Sequence, residues 1–361
     1  MTTFSIFKRQ DWLLNGAMFG LIALSLLMLA SISQGIFLQQ LGWAVIAIVV
    51  IFVVAHIDWR ALASYKWIIV GIYLSSIALL VMTYFFAPEI RNTRAWLVFG
   101  PVQFQVSEFV KVALIIFFSY FFSKRHVGIA RFSNIIRPFI YFLIPAIFIL
   151  LQPDMGTVIV LFCIWSGFLI ISGLPFKQII IGFLILAVIV SIGWFTVLKP
   201  YQKERIVGLF DPTYDPLGVN YSTIQSKVAV GSAGWFGKGF GQGTQVQLGF
   251  LPEPATDYIF PAFIEEWGVF GALVVLLFFG ALILAIIRIG LRADNNFYRF
   301  ICLGAAVMFL VQFTINIGSA LGLLPVIGIT FPFFSYGGSS LLINSVLVGI
   351  VQSGAVYRAL S

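Results

Sequence analysis

Ten apolar runs, broken by short polar connections and one long one, set the terms on which this chain can fold. They fall at roughly 12–31, 36–55, 67–87, 106–122, 136–151, 155–173, 177–198, 259–287, 299–320 and 334–356. A helix crossing a bilayer core needs about 20 predominantly apolar residues, and the sixth run is short for that task, as are the fourth and fifth. Lipid offers no partners to exposed peptide groups, so spanning segments must satisfy their own hydrogen bonds. The pattern therefore predicts an all-α polytopic membrane protein of about ten transmembrane helices, one integral membrane domain over 1–361. Charged residues are 9% of the chain, against about 25% in soluble domains. Lys8 and Arg9 precede the first run, but so many runs follow that it reads as a span, not a cleavable signal.

Ten spans place both termini on one side, and the basic residues say which. Lys8, Arg9, Arg60, Lys66, Lys124, Arg125, Arg131, Arg137, Lys177, Arg288, Arg292, Arg299 and Arg358, 13 of the 21 Lys and Arg, fall on the terminal side. The positive-inside rule makes that side cytoplasmic. The net charge of +8 follows from those loops and implies no nucleic-acid partner. Most acidic residues fall on the other side, which thus carries both signs crowded into few segments. That is the pattern of a site. Cys163 and Cys302 lie inside apolar runs and read as small core residues, and His56 and His126 as interfacial ones.

One extracytoplasmic loop, about 199–258, precedes the eighth span. Tyr201–Arg205 reads as a short amphipathic element, Ser222–Val230 as a helix, and 231–243 as a glycine-rich stretch. The loop ends in Gly249-Phe250-Leu251-Pro252-Glu253-Pro254-Ala255-Thr256-Asp257-Tyr258, polar and proline-braced where it meets the bilayer. Asp257 is either the helix N-cap of the eighth span or a general base or cation ligand. A helix N-terminus would lower its pKa and burial would raise it. Glu265 and Glu266 follow within the span, where carboxylates need partners, and a buried hydrogen bond or ion pair is the favoured reading. Glu108 and Lys111 are i,i+3 neighbours on one helix face, an intramembrane ion pair that can also line a polar cavity. Asp154, in Gln152-Pro153-Asp154-Met155-Gly156-Thr157, is a turn or cap residue or a site carboxylate. Arg91 and Arg94 run against the positive-inside trend, and arginine suits phosphate. Gly237–Thr244 has the look of a phosphate loop, but no strand precedes it and a hinge is the plainer reading. In Phe331–Ser340 the small residues suit close helix packing.

Taken in order, these segments resemble the SEDS family (shape, elongation, division and sporulation) of peptidoglycan glycosyltransferases over essentially the whole chain. The resemblance rests on Arg94-Ala95-Trp96-Leu97, Ser107-Glu108 with Lys111, Gln152–Thr157, Tyr201-Gln202 with Arg205, and Gln225-Ser226. It continues through the glycine-rich run, Leu251-Pro252-Glu253 with Thr256-Asp257, Glu265-Glu266-Trp267-Gly268, Asn316, Leu324-Pro325 and Pro332–Ser340. Pro254-Ala255 departs from the residues common there. The short tails and Asp11-Trp12 look most like the elongation member, with the division member second.

The resemblance implies inverting transfer that joins lipid II disaccharides by β-1,4 bonds onto a nascent glycan strand, with release of polyprenyl pyrophosphate, in the bacterial inner membrane. It makes Asp257 the catalytic carboxylate, as base or as holder of a divalent cation (Mg or Mn), with no other cofactor. Arg94, Lys111 and Arg205 become candidate pyrophosphate contacts, with Glu108 orienting Lys111. Asp154, Gln202, Ser226, Glu265 and Ser339 join them as candidate substrate contacts. It also implies a class B penicillin-binding protein partner, docked on the long loop and the eighth and ninth spans, and the elongation machinery and membrane lipid as surroundings. Two other classes fit ten spans with intramembrane charges. A lipid II flippase would show broken spans in repeats, and none is evident; a non-catalytic scaffold would tolerate loss of Asp257.

Overall fold

The computed structural model describes residues 9–90, 93–100, 102–125, 132–196, 200–211 and 213–358. Lys8, Arg91, His126 and Arg131, read above from the sequence, lie outside the described residues. The expected runs are helices: α1 (Trp12–Ile32), α2 (Gln34–Ala55), α4 (Lys66–Phe86), α5 (Val106–Arg125), α6 (Phe132–Leu151), α7 (Met155–Ile171), α8 (Phe176–Thr196), α12 (Ile259–Arg292), α13 (Asn296–Ala320) and α14 (Gly338–Arg358). Seven are long and apolar enough to span, and α6 and α7 contribute shorter apolar stretches. A short helix, α3 (Trp59–Ser64), links α2 to α4, and the long loop carries α9 (Pro200–Phe210), α10 (Tyr221–Gly231) and α11 (Thr244–Gln247).

The interior is built from α5, α13 and α14. The α5 and α14 helices are the most enclosed spans; α13 packs on α5, α7 and α12, and α14 on α2. Phe118, Phe122, Phe168 and Phe300 stack where α5, α7 and α13 meet. Much of the phenylalanine content is thus inter-helix packing. Cys302 is part of the same core and, like Cys163, is a free thiol. By contrast α8 exposes Phe176, Leu184, Ile185, Val188, Ile192 and Phe195, as a peripheral helix bathed by lipid would.

Polar side chains knit the terminal side. Asp11 caps α1 through Leu13 N and Leu14 N, both at 3.1 Å, and pairs with Arg288. Gln352 Nε2 donates to Asp11 O and Asn15 Oδ1 at 2.9 and 2.7 Å, and Tyr357 Oη donates to His56 O at 2.7 Å. The first helix and the last therefore meet end to end on one side, as ten spans require.

Two departures from the expected all-helical pattern bear on function. First, Trp96–Phe99 (β1) and Val102–Gln105 (β2) form an antiparallel hairpin, pairing Trp96 with Gln105 and Phe99 with Val102. Both strands are rich in β-branched and aromatic residues, which fit a pleated surface, and Gly100 turns with φ +60°.

Second, α12 is not one span. Gly268 breaks it with φ 70° and ψ −171°. The 269–292 portion, about 36 Å at 1.5 Å per residue, crosses a ~30 Å core unaided. Glu265 and Glu266 therefore sit in a separate short helix before the span, not one or two turns into it as expected from the unbroken apolar pattern.

The glycine-rich stretch, read as a hinge, closes this break. Lys238 N and Gly239 N donate to Glu265 O and Glu266 O at 2.9 and 3.0 Å. Beyond the break, Val269 N and Phe270 N donate to Gly234 O and Trp235 O, both at 3.1 Å. Peptide groups freed by the kink are thus paired from outside the helix, as they must be beside a membrane. Backbone meets backbone here without room for a side chain: a Cβ on Gly268 would collide with Trp235 O, and one on Gly237 with Glu266 O. Gly268→Ala is expected to cost about 3 kcal/mol or more, read as a lowered thermal midpoint in detergent. Gly280→Ala, where a Cβ meets nothing within 4 Å, should leave that midpoint unchanged or raise it.

Candidate active site

Asp257 belongs to a turn whose carbonyls are held one after another. Tyr336 N donates to Ala255 O at 2.8 Å, Ser335 Oγ to Thr256 O at 2.7 Å, and Asn316 Nδ2 to Asp257 O at 3.2 Å. The same Asn316 amide donates to Ile329 O at 2.8 Å. From within the turn, Thr256 N and Tyr258 N return to Glu253 O at 3.2 and 3.3 Å, with Glu253 at φ 47°. Five hydrogen bonds fix about six residues of backbone. Asp257 is not at the N-cap position: Tyr258 occupies it, and the Tyr258 side chain makes no capping hydrogen bond. Of the two readings open to Asp257, the structure does not build the cap.

The Asp257 carboxylate faces the extended segment after α13, with Oδ2 3.9 Å from where a Gly328 Cβ would stand. Two residues earlier, Arg205 Nη1 donates to Val326 O at 2.6 Å. Tyr258 lies between these charges. Burial pushes its phenol above the ordinary value; the Thr223 and Ser222 hydroxyls and Arg205 hold it back, while Asp257 pushes it further. A carboxylate and a guanidinium thus act on one buried hydroxyl.

The same segment reaches the second group of candidates. A Cβ on Gly156 would stand 2.7 Å from Ile327 O, so this backbone rests on the first turn of α7. Asp154 is the N-cap of α7, accepting from Thr157 N at 3.0 Å and Thr157 Oγ1 at 2.7 Å, with Ser107 Oγ at 3.4 Å. Glu108 and Lys111 are the expected pair, 2.8 Å apart and almost wholly buried. Glu108 Oε2 is buried with no hydrogen-bond partner among the described residues.

The remaining candidates are spread more widely. Gln202 lies one turn before Arg205 on α9. Ser226 is fully buried, its Oγ donating to Ala320 O at 2.6 Å. Glu265 is fully buried and pairs with Lys238 at 2.6 Å, also accepting from Thr244 Oγ1 and Gln245 N; the favoured ion-pair reading is what the structure builds. Glu266 accepts from Ser31 Oγ. Ser339 Oγ donates to Gln103 O at 2.8 Å and accepts from Gln105 N at 3.1 Å, tying α14 to the hairpin. Arg94 is exposed, 3.7 Å from Glu89. Sequence reasoning did not place Ser335, Asn316 and Tyr258 at the site. Asn316, an amide within an apolar run, was the available signal.

No group of three or more His, Cys, Asp or Glu that could hold a metal occurs among the described residues. Asp257 and Glu253 are the carboxylates of the turn, and so small a set suits Mg2+ only in company with water and substrate phosphates.

A family model described as cell cycle protein FtsW/RodA/SpoVE matches residues 11–359. The chain belongs to that family, the SEDS family expected from its motifs. The peptidoglycan glycosyltransferase MrdB of Escherichia coli K12 is 35% identical over 324 residues, 90% of this chain and 86% of that protein. The probable peptidoglycan glycosyltransferase FtsW of Haemophilus influenzae is 37% identical over 284 residues, 78% of this chain and 71% of that one. One similar solved chain comes from work on structural coordination of polymerization and crosslinking by a peptidoglycan synthase complex. It has TM-score 0.84 and 30% identity, covering 98% of this chain and 99% of that chain. The rod shape determining protein RodA of Thermus thermophilus aligns at TM-score 0.72 and 26% identity over 97% of each chain.

The buried ion pair makes a separate prediction. Lys111→Met alone leaves Glu108 charged and unpaired in a dry setting, at an expected cost of about 3–5 kcal/mol. Glu108→Gln combined with Lys111→Met should recover most of that loss, as read by thermal unfolding in detergent.

Proposed function

We propose that this chain polymerises peptidoglycan glycan strands from lipid II in the bacterial inner membrane, and that it serves cell elongation. Its relatives carry the names of peptidoglycan glycosyltransferases of both the MrdB and FtsW kinds. The glycosyltransferase assignment follows from that shared family. The elongation role rests on Asp11-Trp12 and on likeness to MrdB and to a rod shape determining protein. The observation that carries the catalytic assignment is the clamped turn. Consecutive carbonyls 255–257 are each held by a hydrogen bond, so the Asp257 carboxylate is presented from fixed backbone beside Arg205's anchor. Preorganisation of this kind is what catalytic groups require.

In the proposed step, Asp257 takes the proton of the acceptor sugar hydroxyl. The freed oxygen attacks the anomeric carbon of the donor, and the carbon–oxygen bond to the pyrophosphate breaks with its electron pair leaving on that oxygen. The new bond forms on the face opposite the leaving group, giving inversion and a β-1,4 link. Arg205 is the nearest candidate to stabilise the departing charge. Lys111, paired with Glu108, is a second cation by way of Ile327 and α7, and Arg94 would act only on substrate reaching the exposed approach. A divalent cation held by Asp257 and substrate phosphates would neutralise the same charge.

The site opens on the side away from the termini, which the basic loops make extracytoplasmic. The partner is a class B penicillin-binding protein, a reading supported by likeness to a chain of a complex that couples polymerization to crosslinking.

Asp257→Asn is expected to lower glycan synthesis from fluorescent lipid II by at least about 100-fold, the scale of a lost general base, with folding and partner binding retained. The assay uses the purified pair, with no glycosyltransferase activity from the partner. Retained synthesis by Asp257→Asn would remove Asp257 from the chemistry. No synthesis by the wild-type pair would return the flippase and scaffold readings.

A further inference from the structure

Helices α9 and α10 and the turn after α13 enclose a cleft that the sequence left unassigned. Two cations line it, Arg205 and Lys227, and no carboxylate does. Lys227 is exposed, and its ammonium makes no hydrogen bond or ion pair among the described residues. It lies across Gly322, where a Cβ would stand 2.7 Å from Nζ and 2.6 Å from Cε. Gly322 takes φ +67°. The chain thus omits a side chain at the point where the lysine crosses the backbone.

Both walls are fastened. Asn220 Nδ2 donates to Gly208 O, Asp211 O and Tyr214 O at 3.1, 3.2 and 2.9 Å, closing the connection between α9 and α10. Ser226 Oγ ties α10 to Ala320 O. Leu323 N and Leu324 N both donate to Gly318 O, at 2.7 and 3.0 Å. The Lys227 stem therefore rises from a fixed helix over a fixed turn, toward the cleft that Arg205 enters from the other wall. Lysine acts on phosphate as a point charge, arginine as a directional fork, and one of each suits a ligand with two adjacent phosphoryl groups.

We propose that this cleft is a diphosphate-binding subsite, with Lys227 and Arg205 each holding one phosphoryl group of a polyprenyl-linked diphosphate. The inference rests on the glycosyltransferase reading for its substrate and adds to it a second cation and a place. Arg205 meets Val326 O, and Asp257 stands by Gly328, so the subsite adjoins the carboxylate. Lys227 binds the leaving group; it is not the base.

The test separates binding from polymerisation. Wild type, Lys227→Gln, Lys227→Arg and Asp257→Asn are placed in phosphatidylcholine nanodiscs and titrated with polyprenyl diphosphate, binding being read by native mass spectrometry. Polyprenyl monophosphate and phosphatidylglycerol serve as competitors, and matching thermal midpoints confirm folding. Lys227→Gln is expected to weaken diphosphate binding on the order of tenfold. Lys227→Arg should stay within roughly threefold of wild type, and Asp257→Asn, titrated without divalent cation, should bind about as wild type does. Undiminished binding by Lys227→Gln overturns the proposal. So does equal displacement by phosphatidylglycerol, which would make the cleft a general anionic-headgroup site. If wild type binds with this lysine dependence yet its partnered form makes no glycan, the subsite stands and the polymerase reading falls.

Discussion

A peptide group that leaves a helix at the edge of a bilayer has to find its hydrogen bond in protein, and this structure is organised around two places where that happens. At Gly268 the helix ladder stops, and residues 234–239 of the outer loop supply its missing partners. At 255–257 there is no ladder, and α13 and the turn before α14 supply the bonds through Asn316, Ser335 and Tyr336. Each unmade bond at such depth would cost several kcal/mol. The long loop is therefore part of the packed structure. It cannot lift from α12 without exposing the break, nor can the Asp257 turn shift without releasing its carbonyls.

The acidic side chains follow the same logic. Glu265 is answered by Lys238, Glu108 by Lys111, Glu266 by Ser31 and Asp154 by the first turn of its own helix. Those pairings stabilise the loop, the interior and two helix ends. Asp257 is held at its main-chain carbonyl by Asn316. Its backbone provides rigidity while its carboxylate is turned toward the 326–328 segment.

Much of this was legible in the chain. Run length and polarity gave the helices to within about five residues at each end, because apolar length is a direct consequence of bilayer thickness. The i,i+3 spacing gave the Glu108–Lys111 pair, and the Gln-Pro-Asp-Met-Gly-Thr segment gave Asp154 as a turn or cap. What could not be read depends on approach between distant backbones. Gly268 lies in an unbroken apolar pattern, so nothing local marks a break that exists only because Trp235 and Gly237 pack against it. The 96–105 hairpin was missed because two four-residue strands resemble a loop until Ser339 is seen to hold one of them. Ser335 and Asn316 were quoted as motif residues without roles, since a hydrogen bond to a carbonyl some sixty to eighty residues earlier leaves no mark on spacing.

The segment 322–328 joins the two halves of the chemistry. Its turn lies beneath Lys227, its Val326 carbonyl holds Arg205, and its Gly328 stands by Asp257. From 326 to 328 the chain spans at most about 7 Å, and Gly328, at φ 69°, is not in an extended conformation. A donor with its diphosphate toward Arg205 would therefore bring its anomeric carbon toward the carboxylate. Inversion requires the attacking hydroxyl and the leaving group to lie on opposite faces of that carbon, with the base on the hydroxyl's side. Cations toward one end of a short backbone stretch and a carboxylate toward the other meet that demand without any residue having to serve both ends. The stretch itself is held by Asn316 at Ile329 and by Arg205 at Val326. The stretch between the proposed base and the proposed leaving-group site is thus fastened by the same amide that holds the Asp257 carbonyl.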